Sequence, residues 1–551
     1  ELIRAEVASL VEDGGYREIT LSSLSSGDFP DIGGLLDKLH AEWGPRRVSF
    51  QLPSLKINSF TLPIVRRLAE VRKSGLTFAI ETPVDDWQRG INKDVCFEKT
   101  LAILEEAKAA GFKQAKFYFM IGLPVPGRGR GEAEAILEFF DRLRSRISLQ
   151  INVNVGTFVP KPHTPFQWSA QLPEAEALEA INLIRSGLRR FKNIKVSYHS
   201  PFLAQLEGII ARGDDRVGAL ILSAHDKGAR LDAWEERFDR ELWKTVLDEA
   251  DWPVSEESCR GREPADPLPW DDIGLRVSKA FLLRENEKSL RLESTSACAE
   301  NCNNPCGACN DEARVADGAQ PEAAPAVTAV AESAKPVSRL VLRYSKFGSA
   351  AFMQHLSIVD AFDRAILISG MKVHYSEGFN PMPRFETSQP IPIAIESRGE
   401  IASLILAEEA DPLSCMQTLN RLLPAGLRIE EAACFPVTEG KKQRTIGSLE
   451  WGTEFLLSDI PAAIPELFSR LTEVLQERSV PDFQLERREA GDIFLRLRLP
   501  ASKDHGLIRL LEACIDARPI QSALRITKTA FLARVGDSSP VSVFEAYKAV
   551  S

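Results

Sequence analysis

The sequence predicts an α/β protein in successive parts: a parallel sheet covered by helices, a helical region ending in a four-Cys knuckle, and a C-terminal α+β domain. Three observations predict it. Up to about residue 200, apolar β-rich runs alternate with helically spaced segments at ~30-residue intervals, the pattern of βα units in a barrel or an open sheet. Four of the nine cysteines fall within 298–309. The stretch 311–338 is rich in Ala, Glu, Pro and Val without a period, which reads as a flexible linker. The expected parts are therefore 1–200, 201–310, 311–338 and 339–551.

The first part opens with a helix over Leu2–Glu12, stopped by Gly14 and Gly15. A βα barrel should open with a strand, so one strand and its loop are expected upstream. Strands are predicted over Glu18–Leu24, Val48–Leu52, Leu76–Glu81, Ala115–Gly122, Ser148–Phe158 and Ile194–Tyr198. Helices lie between them, as over Phe97–Ala110 and around Ile136, Phe139, Phe140 and Leu143. Residues 201–295 read as mostly helical and carry Trp234, Trp243, Trp252 and Trp270. After Arg339, strands (Leu340–Tyr344, Glu400–Leu406, Ile493–Leu499, Leu524–Phe531) mix with helices (Leu356–Ile368, Ala463–Glu477, Gly506–Ala517). The halves Arg339–Pro436 and Leu449–Val535 read as a repeat of a strand–helix–strand unit.

Composition excludes several classes. With 44% hydrophobic and 26% charged residues the chain is neither wholly disordered nor a rod. A net charge of −10 excludes a strongly basic nucleic-acid coat, although 68 Lys and Arg leave room for a local basic patch. No run approaches the ~20 apolar residues of a membrane span, so no membrane partner is expected. Nine cysteines is too few and too odd a number for a secreted disulfide framework, and a cytoplasmic location is expected.

In βα barrels the working groups stand where strands end. Three ends are unusual. Leu21–Asp28 is Ser/Gly-rich, suited to a carboxylate or an amino group, or else a turn capped by Asp28 or Asp31. Glu81 ends an apolar strand, sharing a face with Thr77 and Ala79. It would accept hydrogen bonds from ribose hydroxyls, or pair with a Lys or Arg at the rim. Gly122 permits close backbone approach to a flat ligand. The glycines at 127, 129 and 131 lead into a helix at Glu132 but lack a P-loop ending. His163 reads as a structural histidine.

Cys298, Cys302, Cys306 and Cys309 are separated by polar or small residues, which packing does not explain. Four thiolates fit a tetrahedral zinc site or an iron–sulfur cluster. Surface thiols or a local disulfide are the alternatives. In the C-terminal domain, Ser376–Arg384 is a dense turn segment. His355, Asp360 and Arg364 share one helix, with Asp360 and Arg364 spaced for a surface pair.

Leu21–Asp28, FAIETPVDDWQRGINK (78–93), KFYFMIGLP (116–124) and FVPKPHTPFQW (158–168) together resemble the radical S-adenosylmethionine (radical SAM) enzymes. The subgroup resembled is the cobalamin-binding type with a fused radical-SAM-linked domain of unknown function. LEGIIARGD (206–214) and the cysteine knuckle fit the same subgroup, and YSEGFNPMPR (375–384) resembles the linked domain. The resemblance covers nearly the whole chain.

It implies a partial (βα)6 TIM-like barrel lacking its first strand. It also implies a [4Fe–4S] cluster that cleaves S-adenosylmethionine to a 5′-deoxyadenosyl radical, with ligands upstream of Glu1. By the family pattern Ser22, Ser23 and Ser25 lie near the methionine moiety, Glu81 near the ribose, and Ile121 and Gly122 offer backbone to the adenine. The knuckle would hold zinc or an auxiliary iron–sulfur cluster, and cobalamin is a further candidate cofactor. An electron donor, and RNA or a ribosome-associated component as substrate, are the partners expected.

Three departures stand out. The chain's C-x3-C-x2-C spacing occurs at Cys302–Cys309, not after a first barrel strand. The residues after Pro124 are Val-Pro-Gly-Arg-Gly-Arg-Gly, where relatives are more acidic. Met382 stands where the linked domain often has His. The chain therefore reads as a fragment of a radical SAM enzyme, inactive alone. The alternative is a non-catalytic RNA- or protein-binding scaffold with a zinc knuckle.

Overall fold

The computed structural model describes residues 1–23, 29, 31–52, 76–127, 131–296, 298, 302, 304, 306–309, 335–376, 381–437, 444–460, 466–488, 491–498, 506–515, 524–536 and 538–550. They fall into two compact units. One comprises Glu1–Ile19, Leu39–Ser49 and Ala329–Ser551, the other Thr20–Lys38 and Phe50–Thr328.

The six strands predicted for one sheet divide. β1 (Glu18–Thr20) and β2 (Ser49–Gln51) form a two-stranded sheet of their own. Three residues each offer few ladder bonds, and neither predicted run extends further as strand. β3 (Leu76–Glu81), β4 (Gln114–Ile121), β5 (Gln150–Thr157) and β6 (Ile194–Tyr198) form a four-stranded parallel sheet in sequential order. Residues 53–75, between β2 and β3, lie outside the described residues.

Alternation along these strands makes two unlike faces. One buries Phe78, Phe117, Phe119, Val153 and Val155 against helices Phe97–Ala109, Gly131–Arg146 and Glu174–Leu188. Phe117 and Phe119 each meet Phe139 and Phe140 there edge-to-face, Phe117 and Phe140 at 5.8 Å. Such pairs add to area burial because ring edges and faces carry opposite partial charge. The other face is polar, half-buried along β4 and β5 and exposed at Thr77, Lys195 and Ser197. Helices Pro201–Arg212, Arg216–Asp226, Arg240–Asp248 and Val254–Cys259 build a further core around Phe202, Ile209, Leu220 and Trp243. Trp168, Leu268, Trp270 and Leu282 form another, while Trp234 is exposed.

The C-terminal unit holds β7 (Ser338–Lys346), β8 (Phe385–Thr387), β9 (Glu396–Leu406), β10 (Leu427–Pro436), β11 (Glu450–Ser458), β12 (Gln484–Arg487), β13 (Ile493–Arg498) and β14 (Arg525–Ala533) in one sheet. Its order shows a duplication. In the first half the strands lie β10-β7-β9 with β8 on the far side of β9. In the second they lie β14-β11-β13-β12. Each half is a βαββαβ unit of the ferredoxin-like kind, so the predicted repeat is present and larger than a strand–helix–strand. Helices His355–Ser369 and Pro412–Leu422 cover the first, Leu467–Glu477 and Leu507–Cys514 the second.

The halves join through a parallel pairing of β9 with β14, Ser397 opposite Lys528. At this seam a Cβ on Gly399 would lie 2.7 Å from the Ala530 backbone, so only glycine permits the approach. A charge pair is buried here: Lys528 Nζ to Glu400 Oε1 at 3.0 Å, both under 6% exposed. Ser397 Oγ and Ser388 Oγ each donate to the same carboxylate at 2.8 Å. Burial alone would raise the Glu400 carboxyl, but Lys528 and the two hydroxyls hold it below the ordinary range.

The N-terminal segments of this unit are bound to the same domain. Arg17 Nε reaches both carboxylate oxygens of Asp363 at 2.8 and 2.9 Å, and its Nη1 donates to the Tyr375 hydroxyl at 3.2 Å. Arg46 donates to the Leu367 carbonyl.

Candidate functional site

The candidate site is the row of strand ends and first loop residues of β3, β4 and β5. Glu81 closes β3 after a break in register with β4, and its φ of +62° lies in the left-handed region. That conformation is costly for a residue with a Cβ. Its half-buried carboxylate accepts from Lys93 Nζ at 2.5 Å, so the rim pairing anticipated as an alternative is present. The loop between them is fixed by Gln88, which is 2% exposed. Its Nε2 donates to the Thr82 carbonyl at 2.8 Å and its Oε1 accepts the Val95 N–H at 2.9 Å.

On the neighbouring strand Ile121 is fully buried and Gly122 has φ +77°. A Cβ on Gly122 would lie 2.8 Å from the Leu172 side chain, so glycine is required. The Gly122 and Leu123 N–H groups donate to Glu132 Oε2 and Oε1 at 2.8 and 3.0 Å. Ile121's carbonyl accepts the Phe158 N–H at 2.8 Å. Glu132, 6% exposed, lies in the first turn of helix Gly131–Arg146, where negative charge is favoured. Sequence reading took Glu132 only as a helix start. A glutamate directly after a glycine-rich loop was the available signal.

Glu81, Ile121 and Gly122 are thus on adjacent strand ends. Ser22 and Ser23 lie just beyond β1, exposed and outside the four-stranded sheet that carries Glu81 and Gly122. Ser25 and Asp28 lie outside the described residues. His163 sits in a turn at φ +56°, its N–H held by Gln167 Oε1 at 3.1 Å, as a structural residue should be. On the inner face Asn154 Nδ2 donates to Ser197 Oγ at 3.1 Å, while the buried Asn154 Oδ1 has no hydrogen-bond partner. An orphaned acceptor of this kind fits a hydroxyl- or amine-bearing ligand such as S-adenosylmethionine.

All four knuckle cysteines are free thiols; Cys298, Cys302 and Cys309 are exposed and Cys306 is partly buried. Cys302 Sγ accepts the Asn304 N–H at 3.3 Å and Cys306 Sγ the Ala308 N–H at 3.4 Å. No group of three or more His, Cys, Asp or Glu stands ready for a metal among the described residues. The segment is tied to the strand-end rim: Asn304 Nδ2 donates to Ser296 Oγ at 3.0 Å, and Thr295 N–H to Asn92 Oδ1 at 2.9 Å, beside Lys93.

In the C-terminal domain Asp360 and Arg364 form the expected surface pair at 2.9 Å, and His355 Nε2 meets Thr387 Oγ1 at 3.3 Å. Of the turn 376–384, residues 377–380 lie outside the described residues. Among the described residues no helix is long and apolar enough to cross a membrane.

Comparison with known proteins bears on this geometry. The chain is 24% identical over 243 residues to uncharacterized protein MJ0966 of Methanocaldococcus jannaschii, covering 42% of this chain. It spans about half (51%) of the length of that curated relative. Among solved structures, an unknown protein from Galdieria sulphuraria is similar at 12% identity, with 36% of this chain and 100% of that chain covered and a TM-score of 0.13. Dihydrodipicolinate synthase from Bacteroides thetaiotaomicron is similar at 11% identity, with 50% and 97% covered and a TM-score of 0.19. Residues 339–490 match a family described as an uncharacterized protein conserved in bacteria (DUF2344). Residues 1–146 match the radical SAM superfamily, and this match supports a function of radical SAM type.

Proposed function

We propose that the chain is part of a cytoplasmic radical SAM enzyme of the cobalamin-binding subgroup. It would modify a complex substrate, RNA or a ribosome-associated component, with reducing equivalents from an electron donor. The observation that carries the reading is Glu81 and Gly122 on neighbouring strand ends inside the region that matches the superfamily.

A reduced [4Fe–4S] cluster with S-adenosylmethionine supplies a hydrogen-abstracting radical when both are bound. The chain's own residues bind and orient. Ser22, Ser23 and Ser25 take the methionine end, Glu81 the ribose hydroxyls, and the backbone at Ile121 and Gly122 the adenine. Lys93 holds Glu81 until ribose hydroxyls replace it. Glu132 fixes the two N–H groups that set the direction of the chain after β4. Cys298, Cys302, Cys306 and Cys309 hold zinc or an auxiliary cluster close to the same rim.

The test is anaerobic turnover with the whole gene product. 5′-Deoxyadenosine formed from S-adenosylmethionine under reducing conditions, and lost in Glu81→Ala, supports the reading. A protein that carries a complete cluster motif yet neither binds nor cleaves S-adenosylmethionine overturns it. The backbone donors to Cys302 and Cys306 favour a second reading, a non-catalytic scaffold with a zinc knuckle. Stoichiometric zinc with salt-sensitive RNA retention and no cleavage would establish that one instead.

A further inference from the structure

The polar face of the β3–β6 sheet carries charge that no ion pair among the described residues balances. The strand register sorts this face into rows. At the strand ends stand Glu81 and Gly156, and Glu81 is neutralised by Lys93. In the row below, Tyr118 is paired with Asn154 and Asn154 with Ser197. In the lowest row Lys116 is paired with Asn152 and Asn152 with Lys195. Paired positions present side chains to one face, so the two lysines flank Asn152 on the same side.

Neither lysine has an ion pair among the described residues. Lys116 is half-buried with its Nζ 4.6 Å from the centre of the Tyr118 ring. That contact orients an ammonium without discharging it. The two lysines stand two strands apart, about 10 Å at the usual strand spacing. They lie four residues, roughly 13 Å, from the strand-end row. Between the cationic row and that end are Tyr118, Asn154 with its orphaned Oδ1, and Ser197. This is an aromatic surface with neutral hydrogen-bonding groups.

We propose that this face binds the substrate, and that the substrate carries a phosphate held by Lys116 and Lys195. Its body lies along Tyr118 and Asn154, and its reacting carbon sits about 13 Å from the phosphate, at the strand ends. The proposal rests on the reading of those strand ends as the reaction site. The charge arrangement selects phosphate-bearing molecules over their neutral counterparts, because two cations without an ion pair, Lys116 half-buried and Lys195 exposed, gain more from a dianion than from any neutral group.

The test uses the whole protein, with inorganic pyrophosphate and uridine 5′-monophosphate as probes and uridine as the neutral control. Calorimetry at about 50 mM salt, where screening is weak, should show both anions binding and uridine binding far more weakly. Lys116→Gln with Lys195→Gln should weaken both anions at least tenfold and leave uridine unchanged. Lys108→Gln with Lys192→Gln removes the same charge elsewhere on the surface and should leave all three unchanged. Equal loss in the two double variants, or no anion binding by the unaltered protein, overturns the proposal. S-Adenosylmethionine binding, followed separately by equilibrium dialysis, should survive the Lys116/Lys195 changes. If anions bind as expected and S-adenosylmethionine does not, the enzyme reading fails while the anion site stands. If only S-adenosylmethionine binds, the anion site fails alone.

Discussion

Removing the Glu132 carboxylate tests the support beneath the strand-end site. It accepts two adjacent backbone N–H groups, from Gly122 at 2.8 Å and Leu123 at 3.0 Å, and its residue is only 6% exposed. In Glu132→Ala both donors remain buried. Leaving a buried donor unsatisfied costs about 1–3 kcal/mol, which for two gives roughly 2–6. Loss of negative charge in the first helical turn adds about 0.5 kcal/mol. Relief of the carboxylate's own desolvation offsets part of this. The expected loss is about 3 kcal/mol, at the upper end of what single substitutions usually cost. Glu132→Gln keeps one acceptor oxygen but turns an NH2 toward the second donor, so about half that loss is expected. Urea denaturation followed by far-ultraviolet circular dichroism reads both, provided the slope with denaturant is unchanged. S-Adenosylmethionine affinity should fall in parallel, because Gly122 loses its anchor. A Glu132→Ala variant within about 0.5 kcal/mol of the unaltered protein, the usual scatter of a neutral surface change, would refute the argument. So would a glutamine variant as stable as the parent.

Three further outcomes follow from charges elsewhere. Arg17→Met should cost about 3 kcal/mol by leaving Asp363 buried without its bidentate partner, and Arg17→Met with Asp363→Leu should recover most of it; thermal melts of the three variants decide. Lys528→Met should cost a similar ~3 kcal/mol at neutral pH. Glu400 is held below its ordinary value of 4.5, so its contribution is present above that pH and lost as pH falls through the folded value. Acid titration of stability should show that loss in the unaltered protein and not in Lys528→Met. Arg212 is fully buried with Nε and Nη1 lacking hydrogen-bond partners, and burial with neighbouring Arg262 lowers its pKa to about 10. Arg212→Met should therefore be neutral or stabilising by up to ~2 kcal/mol, read as a melting temperature unchanged or a few degrees higher.

The strands that position the site were legible. The run Leu76–Glu81 is β3 and Ile194–Tyr198 is β6, residue for residue, and β4 and β5 shift by two residues or fewer. Strict alternation against a phenylalanine-rich core leaves those registers no freedom. The seam of the C-terminal domain was not legible. β9 begins at Glu396, four residues before the predicted start, because Ser397, Arg398 and Gly399 look like loop in a sequence. They are strand only because Lys528 and Ser388 satisfy Glu400 and Ala530 backbone packs on Gly399. Strand order within the duplicated halves is likewise set by pairings far apart in the chain. At the site, Glu81 was legible as a carboxylate ending an apolar strand. Its partner Lys93 was not, since it lies twelve positions further along the chain and a helix-containing segment organised by Gln88 brings it back.

The glycine-rich stretch after Pro124 departs from the more acidic sequence that the resemblance to the radical SAM enzymes implies there. Glu132 changes the weight of that departure. What the turn after β4 needs is an acceptor for the Gly122 and Leu123 N–H groups, wherever in the chain it originates. An acidic residue within the turn would be a local source. Here the acceptor arrives from the next helix, ten residues after Gly122, and meets both donors at ordinary hydrogen-bond distances. Helix Gly131–Arg146 is pinned to the sheet by Ile136, Phe139, Phe140 and Leu143. Its first turn is therefore held by the same core that fixes β4. The supporting group is thus tied to the strand end through packing rather than through the loop. Changes at 126–130 should then be tolerated far better than a change at Glu132, although both lie in the same departure from the family pattern.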